Sequence, residues 1–433
     1  MPHAWRRTDS TNPDIPGIPG RPGIPDIPGI PESPESPEIP DSPVSPDKNS
    51  KNRNMIIVLA DDITGAAEIA GIAHRYGLRA MLSLHGIIPQ CDADVLVVAS
   101  DTRSYTAEEA EQTTAGLTRR ICGAFPGIAA THILFHKTDS ALRGHVAEEL
   151  RAMTENSPYA SALYMPANPS KRRTIRDGIY RIDGVPITAT PFRSDPEFPA
   201  LTDSVSERFP GITTADAVTT EDVGDIVSRH LSDATRRSTV LLAGAADLFT
   251  ALVEQTFSLP HATPAPFGGL PREASMIVVR GSTLSRCADL GIPVSDMPYG
   301  VFNATSPLHE WTTPLADTYH RQMQRRGRRG MVIAIGEKEL RKGREVAVYL
   351  RETMAEACRT LLDTALPDEL VIEGGATAFA ILRRMPWHTL SVTDEIAPGV
   401  VRCKPLYSAS DNKQPDIHIT LKPGSYEWGN IWK

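Results

Sequence analysis

Cysteine is scarce and scattered in this chain of 433 residues. It contains five cysteines, and no two of them form a CxxC pair. An odd number of dispersed cysteines argues against a disulfide framework or a cysteine zinc site, and is typical of reduced cytoplasmic thiols. The five are Cys91, Cys122, Cys287, Cys358 and Cys403.

Long hydrophobic runs are also missing. No stretch of about 18 apolar residues occurs, and the amino terminus lacks the apolar core, about 7 to 15 residues long, of a secretory signal. We therefore expect a cytoplasmic protein without a membrane partner. The formal net charge of -8 argues against a nucleic-acid partner, because phosphates require a clustered basic surface. The sequence GxxxxGK[ST] is absent, which excludes a Walker-type P-loop.

Residues 1–54 differ from the rest of the chain. From Pro13 to Pro46 a proline falls at every third position. This spacing favours extended polyproline II and cannot form a core. We therefore predict a disordered Pro-rich tail. Met55 stands directly before the first apolar run, so it is a candidate for the natural start of the protein, and the role of the tail stays open.

After Met55, short β-rich runs alternate with longer helical patterns, which is typical of an α/β fold with mainly parallel strands. We predict two α/β domains, 55–260 and 272–433, joined by a Pro- and Gly-rich linker at 261–271, with the active site in the cleft between them. The predicted strands are 56–60, 80–84, 95–100, 133–136, 162–165, 275–280, 331–335 and 370–372, and the predicted helices include 66–76, 107–121 and 145–153.

The first strand ends in two adjacent carboxylates. Five apolar residues, Ile56–Ala60, are followed by Asp61, Asp62 and a Thr64-Gly65 turn. Ligands of open α/β sheets bind outside the carboxyl ends of the strands. One aspartate could accept a proton or hold a substrate hydroxyl, while the other anchors the turn or a cation. The structural alternative is a helix N-cap, which needs only one acid.

Two further strand ends repeat this pattern, at 98–104 and 135–140. Arg103, Lys137 and Arg143 bring positive charge suited to an anionic substrate, whereas Asp101 and Asp139 offer acceptors for hydroxyl groups. A polyhydroxy acid would use both. The alternative is a surface network in which each cation neutralises a neighbouring aspartate.

Glycine turns mark the second predicted domain. A strand at 371–373 runs into Gly374-Gly375 and a helix. Such glycines let backbone approach phosphate, and the helix N-terminus favours negative charge. Each motif is weak alone, but the turns at 280–283 and 421–426 could complete a nucleotide site.

Taken in order, these motifs resemble the four-carbon acid sugar kinases. The matching segments are 60–66, 137–144, 183–187, 281–282, 373–377, 395–399 and 422–424. The resemblance implies an amino-terminal domain that binds the acid sugar and a carboxyl-terminal domain that binds ATP with Mg²⁺. Phosphoryl transfer would go to a hydroxyl of threonate, erythronate or an oxo-tetronate.

The resemblance also implies residue roles. Asp61 and Asp62 would face the sugar acid, and we expect an aspartate of this catalytic pair to orient and deprotonate the attacking hydroxyl. The residues facing the sugar acid would be Arg103, Lys137, Asp139 and Arg143. Those facing ATP would be Ser282, Gly374, Gly375, Ala376, Thr377 and Gly424. Many members carry an acidic residue in place of Ala376 and a second glycine in place of Ser425, so nucleotide contacts would differ here. No metal ligand is identified.

Two other classes of protein remain. A phosphatase of the haloacid dehalogenase type requires Asp-x-Asp-x-Thr, whereas the spacing here is Asp-Asp-x-Thr. A non-catalytic sensor of sugar acid or nucleotide, derived from the kinase fold, is the main alternative, and ATP turnover separates the two. Whether the chain forms a homodimer stays open.

Overall fold

A computed structural model describes residues 55–424, apart from 90, 196, 272, 282–289, 328, 337, 339–342 and 407–415. The predicted tail, 1–54, therefore lies outside the described residues. The first half contains strands β1 (Ile56–Ala60), β2 (Ala80–Ser83), β3 (Val95–Ala99), β4 (Ile133–Lys137), β5 (Ser161–Met165), β6 (Arg173–Arg176), β7 (Ile179–Ile182), β8 (Val185–Pro186), β9 (Thr213–Thr214) and β10 (Val240–Gly244). Its helices are α1 (Ile63–Arg75), α2 (Ala107–Ala124), α3 (Ile128–Thr131), α4 (Val146–Glu155), α5 (Val205–Arg208), α6 (Thr220–Ser232), α7 (Ala234–Thr239) and α8 (Ala246–Phe257).

The second half continues the alternation of strands and helices. Its strands are β11 (Ser275–Arg280), β12 (Val294–Asp296), β13 (Arg329–Ala334), β14 (Glu369–Glu373), β15 (Thr389–Ala397), β16 (Val400–Leu406) and β17 (His418–Lys422). Its helices are α9 (Tyr299–Phe302), α10 (His309–Met323), α11 (Arg344–Thr364) and α12 (Gly375–Leu382). The predicted α/β class and the predicted strand positions are confirmed, with ends that differ by one or two residues.

A single mixed sheet runs through both halves, in the order β12-β13-β11-β14-β17-β16-β15-β2-β3-β1-β4-β10-β5-β9. We expected a separate sheet in each domain, and this detail was wrong. The halves join where β15 pairs antiparallel with β2. Most other neighbours are parallel, and β1 is buried over its whole length, as its continuous apolar run predicts. Strands β6, β7 and β8 form a small antiparallel sheet of their own.

Strand direction reverses between the halves. Because β15, β16 and β17 alternate in direction, β14 runs antiparallel to β1. In a flat sheet the carboxyl ends of these two strands would lie on opposite edges. Sheets twist by about 20–25° per strand, or roughly 120–150° over the six steps from β1 to β14. A twist of this size would turn the carboxyl ends of β1 and β14 toward the same side, in agreement with the close approach of Gly375 after β14 to Thr64 after β1.

Helix α1 spans the junction of the halves. Its amino-terminal end follows β1, and at its carboxyl end Arg75 makes a two-pronged ion pair with Glu395 of β15, at 2.5 and 2.7 Å. A Cβ atom added at Gly71 would lie 2.5 Å from Val401 Cγ1, so only glycine permits this approach of α1 to β16. The helix is thus anchored to the second half while its first turn carries the acidic pair.

Candidate functional site

The ends of three adjacent parallel strands form the acidic side of the site. Ala60 of β1 lies beside Ala99 of β3 and Lys137 of β4. The segments that follow β1 and β3 therefore meet at one edge, together with the end of β4. This confirms that the three polar strand ends of the sequence lie together.

Arg103 connects the two adjacent aspartates. Its Nε and Nη2 atoms donate to Asp61 Oδ2 and Oδ1 at 2.9 and 2.8 Å, and Nη2 also lies 3.1 Å from Asp62 Oδ1. Asp61 is fully buried. Two-pronged pairs of this kind fix geometry as well as charge, so Arg103 holds the acidic pair as one unit.

Asp62 also serves as the N-cap of α1. Its carboxylate accepts hydrogen bonds from the Gly65 backbone N–H, at 2.8 Å, and from the Thr64 hydroxyl. The capping alternative raised by the sequence is therefore correct for this residue. Because Asp62 touches Arg103 as well, capping and participation in the site coexist.

The environment of Asp61 disfavours its charged form. Burial raises the pKa of Asp61 to about 7, and the nearby Asp62 and Glu149 carboxylates act in the same direction. Arg103 and Lys137 oppose this increase but do not cancel it. A carboxylate with a pKa in this range is suited to exchange a proton near neutral pH.

Asp139 shows the opposite behaviour. Burial opposes its ionisation, but Arg103 and Arg143 outweigh that effect and hold the pKa of Asp139 well below its usual range. Arg143 Nε and Nη2 each donate to this carboxylate at 3.0 Å, and Arg103 Nη1 lies 3.8 Å away. Asp139 therefore stays charged and aligns two guanidinium groups.

Lys137 lies within a cluster that sequence reasoning missed. Its Nζ atom donates to the Thr138 carbonyl at 2.9 Å and lies 3.5 Å from Glu68 Oε2. Lys171 donates to the other oxygen of Glu68. Nearby, Arg173 donates to the Ser140 hydroxyl. Two features of the sequence indicated this cluster. One is an acid within the apolar helix α1, and the other is a run of basic residues after β5.

Asp101 is a further buried acid at this edge. It has a left-handed backbone, with φ 56°, and accepts from the Ser104 hydroxyl at 3.3 Å. Burial raises the pKa of Asp101 to about 7, Arg351 of α11 opposes the increase, and Asp62 adds to it. The charge of a second-half helix thus acts on an aspartate of the first half.

Three parallel strand ends also meet in the second half. Arg280 of β11, Glu373 of β14 and Lys422 of β17 lie side by side. Lys422 Nζ donates to Glu373 Oε1 at 2.7 Å, and both side chains are buried. The three turns predicted for nucleotide binding therefore begin at one edge, although Ser282 lies outside the described residues.

Close packing explains one of the glycines in these turns. A Cβ atom at Gly281 would overlap the Thr377 side chain and would lie 3.0 Å from the Glu373 carbonyl oxygen. Gly281 is thus required by the approach of β11 to α12. Thr377 is buried in this contact, whereas Ala376 is exposed and Gly374, Gly375 and Gly424 are partly exposed.

The two halves meet at Gly375. A Cβ atom added there would lie 2.8 Å from Thr64 Cγ2 and 3.5 Å from Asp62 Oδ2. The first residue of α12 therefore packs directly against the first turn of α1. The acidic pair and the glycine turn, which are more than 300 residues apart in the chain, form one continuous site.

The described part of the chain contains neither a metal-binding cluster nor a membrane-spanning helix. In these residues, no group of three or more His, Cys, Asp or Glu side chains is arranged to hold a metal ion. No helix among them is both long enough and apolar enough to cross a membrane.

Comparison with known proteins agrees with a site made of two parts, one from each half of the chain. Residues 56–210 match a family model described as a sugar-binding N-terminal domain, and residues 314–426 match a nucleotide-binding C-terminal domain. The D-threonate kinase of Salmonella typhimurium is 23% identical over 417 residues, covering 86% of this chain and 95% of that protein. The D-erythronate kinase of Heliobacterium modesticaldum is 28% identical over 151 residues, 33% of each chain.

A solved structure shares the fold. The crystal structure of Haemophilus influenzae protein HI1011 superposes with a TM-score of 0.61 at 15% identity, covering 87% of this chain and 98% of that one. Both family models occur here in the same order as the two halves of the site. The chain therefore belongs to the four-carbon acid sugar kinase family.

Proposed function

We propose that this protein is an ATP-dependent kinase that transfers the γ-phosphoryl group to a hydroxyl of a four-carbon acid sugar of the threonate, erythronate or oxo-tetronate type. The observation that carries the proposal is the contact of Gly375 with Thr64 and Asp62. It supports the proposal because transfer from a nucleotide to an alcohol needs an acceptor for the hydroxyl proton close to a phosphate-binding turn, and here an acidic edge lies beside a glycine turn at a helix N-terminus.

In the proposed mechanism the Asp61–Asp62 pair orients the attacking hydroxyl and accepts its proton. Arg103 keeps the two carboxylates in a fixed relation. Lys137, Asp139 and Arg143 bind the sugar acid, with the cations facing its carboxylate. Phosphoryl transfer has a loose transition state, so in-line positioning and charge stabilisation matter more than a strong base.

The second half is proposed to bind ATP. We assign the contacts with the phosphates to Gly374, Gly375, Ala376 and Thr377 at the start of α12, together with Gly424 and Ser282. Mg²⁺ bound with ATP would neutralise phosphate charge and would be held mainly by phosphate oxygens and water. We assign the sugar acid to domain 55–260, the nucleotide to domain 272–433, and transfer to the cleft between them.

The first experiment is an ADP-release assay of the purified protein with Mg-ATP. The substrates are D- and L-threonate, D- and L-erythronate, and 2- and 3-oxo-tetronate, and each product is checked by mass spectrometry. Turnover of one acid supports the kinase and identifies its substrate. Binding of sugar acid and ATP without turnover would favour a non-catalytic sensor derived from this fold.

Variants of the acidic pair test the mechanism. Asp61→Asn and Asp62→Asn are expected to lower kcat by about 10²–10⁴-fold, the usual contribution of a general base, while the Kd for ATP changes little. Asp225→Asn removes the same charge from an exposed position on α6 and serves as the matched control. Near-normal turnover in both site variants would exclude the pair from catalysis.

A further inference from the structure

Glu149 is a buried carboxylate beside the site that the proposed mechanism does not use. It lies on α4 and is fully buried. One oxygen accepts from the Thr102 hydroxyl, and Oε2 lies 3.0 Å from His136 Nε2. Burying a carboxylate costs several kcal/mol unless it is well paired. Both of its oxygens are engaged here, which indicates a built interaction.

The proton positions in this pair follow from hydrogen-bond chemistry. His136 Nδ1 lies 3.0 Å from the Leu59 carbonyl oxygen, which can only accept, so Nδ1 carries a hydrogen. Nε2 and Glu149 therefore share one proton. Burial favours neutral histidine, but the hydrogen bond and charge of Glu149 outweigh it and raise the pKa of His136. The pair is thus a buried, hydrogen-bonded unit in which His136 Nε2 and the Glu149 side chain face each other across 3.0 Å.

A chain of hydroxyl groups extends from Glu149 to the strand ends. Thr102 Oγ1 lies 2.9 Å from Ser100 Oγ, which lies 2.8 Å from the Ala60 carbonyl oxygen. Each hydroxyl has one hydrogen, and Thr102 gives its own to Glu149. Glu149 therefore connects α4 to β4 through His136 and to the segment after β3 through Thr102. The His136 route also reaches the Leu59 carbonyl of β1, whereas Ser100 has one hydrogen to give either to Thr102 Oγ1 or to the Ala60 carbonyl oxygen.

The turn held by this chain is the one that carries Arg103. Residues Thr102–Ser104 form a single 3₁₀ turn after Asp101, whose left-handed backbone is unfavourable for a residue other than glycine. Surrounding contacts must hold such a conformation. We propose that Glu149 is a positioning residue that, through Thr102, fixes this turn and keeps the Arg103 guanidinium on Asp61. Its effect on turnover rests on the proposed function.

Three substitutions test the inference at pH 8. Thr102→Val removes only the hydroxyl that reaches Glu149, and Glu149→Ala removes the acceptor. Both are expected to lower kcat by at least about tenfold, because small misplacements of positioning groups are costly, with the KM for ATP unchanged. Glu149→Gln can accept from Thr102 and donate to a neutral His136. It should therefore restore kcat to within about threefold of wild type.

Thr118→Val is the matched control. This buried threonine donates only within α2, to the Thr114 carbonyl at 2.7 Å, and its substitution should leave kcat unchanged. An equal loss of kcat in Thr118→Val would show a general effect of buried threonine and overturn the inference. A Glu149→Gln variant as impaired as Glu149→Ala would overturn it too, because charge would then matter and hydrogen bonding would not.

A measurement that does not depend on enzyme turnover tests this inference separately from the proposed function. In ¹H–¹⁵N NMR spectra, the Arg103 Nε–H signal should be resolved and slow to exchange in wild type, Thr118→Val and Glu149→Gln. It should broaden or shift in Thr102→Val and Glu149→Ala. If wild type phosphorylates no acid but these signals behave as stated, the proposed function fails and the positioning role stands. An unchanged Arg103 signal in both disruptive variants refutes positioning.

Discussion

Acidification should switch the site off near neutral pH, well above the range expected of an ordinary aspartate. Burial raises the pKa of Asp61 from 3.8 to about 7, with Asp62 and Glu149 adding to the increase. The difference of about three pKa units corresponds to roughly 4 kcal/mol against the charged form. If the charged form accepts the proton of the hydroxyl, activity requires pH above this value.

The sign and size follow from the ionised fraction. At pH 8 about 90% of the protein has the carboxylate charged, and at pH 6 about 10%. The value of kcat/KM for the sugar acid should therefore fall about fivefold from pH 7 to pH 6 and about tenfold for each further unit. The neighbouring Asp62 carboxylate adds to the rise in the pKa of Asp61, so the profile reports an apparent pKa of the site. The charged groups that act on Asp61 are Asp62, Arg103, Lys137, His136 and Glu149.

The assay is ADP release from pH 5.5 to 8.5 at constant ionic strength, with folding checked at each pH by circular dichroism. Asp101 is the alternative cause of a fall in activity at low pH, since burial raises the pKa of Asp101 to about 7 as well. If the Asp61–Asp62 pair causes the fall in kcat/KM at low pH, the Asp101→Asn variant should still show that fall. A flat wild-type profile down to pH 5.5, or loss of the fall in activity at low pH in Asp101→Asn, would show that the pKa of Asp61 does not control turnover.

Two further predictions concern packing and acid stability. Gly375→Ala should lower kcat about tenfold, because its Cβ would crowd Thr64 at 2.8 Å and overpacking costs about 1–3 kcal/mol. Gly116→Ala adds a Cβ in open space on α2 and should leave kcat unchanged. Equal kcat values for the two variants would contradict the contact of Gly375 with Thr64. Asp139→Asn should lower the Tm at pH 7, since breaking a buried pair costs about 3–5 kcal/mol. In the folded protein the pKa of Asp139 is held below its usual range, so the charged carboxylate stabilises the fold at pH values above the pKa of the unfolded chain. The Tm difference between wild type and Asp139→Asn should therefore shrink as the pH falls toward 3. A Tm difference that stays constant with pH in thermal unfolding would contradict this.

Local patterns predicted much of the fold. The strand Ile56–Ala60 matches its predicted bounds, because an apolar run that stops at charged residues can only be a short buried strand or a piece of buried helix, and the following turn favours the strand. The strand Ser275–Arg280 was predicted with the same bounds for the same reason. The assignment of domains to 55–260 and 272–433, and of residue roles, stays a prediction.

Local patterns could not reveal the joining of the sheet. The pairing of β15 with β2 connects residues about 300 positions apart. Nothing near Ala80–Ser83 indicates which strand will cover its free edge. Two separate sheets were therefore the simpler expectation, and the antiparallel strands of the second half, which turn its direction, were not predicted.

Hydrophobic periodicity and turn chemistry act over a few residues, so the amino-acid sequence alone predicts where polar groups follow buried strands and where glycine turns precede helices. The folded chain was needed to show that Arg103 binds Asp61, that Glu149 accepts from Thr102 in the turn of Arg103, and that Gly375 packs against Thr64. Those contacts depend on strand order, sheet twist and helix packing, which bring together groups that no local pattern connects.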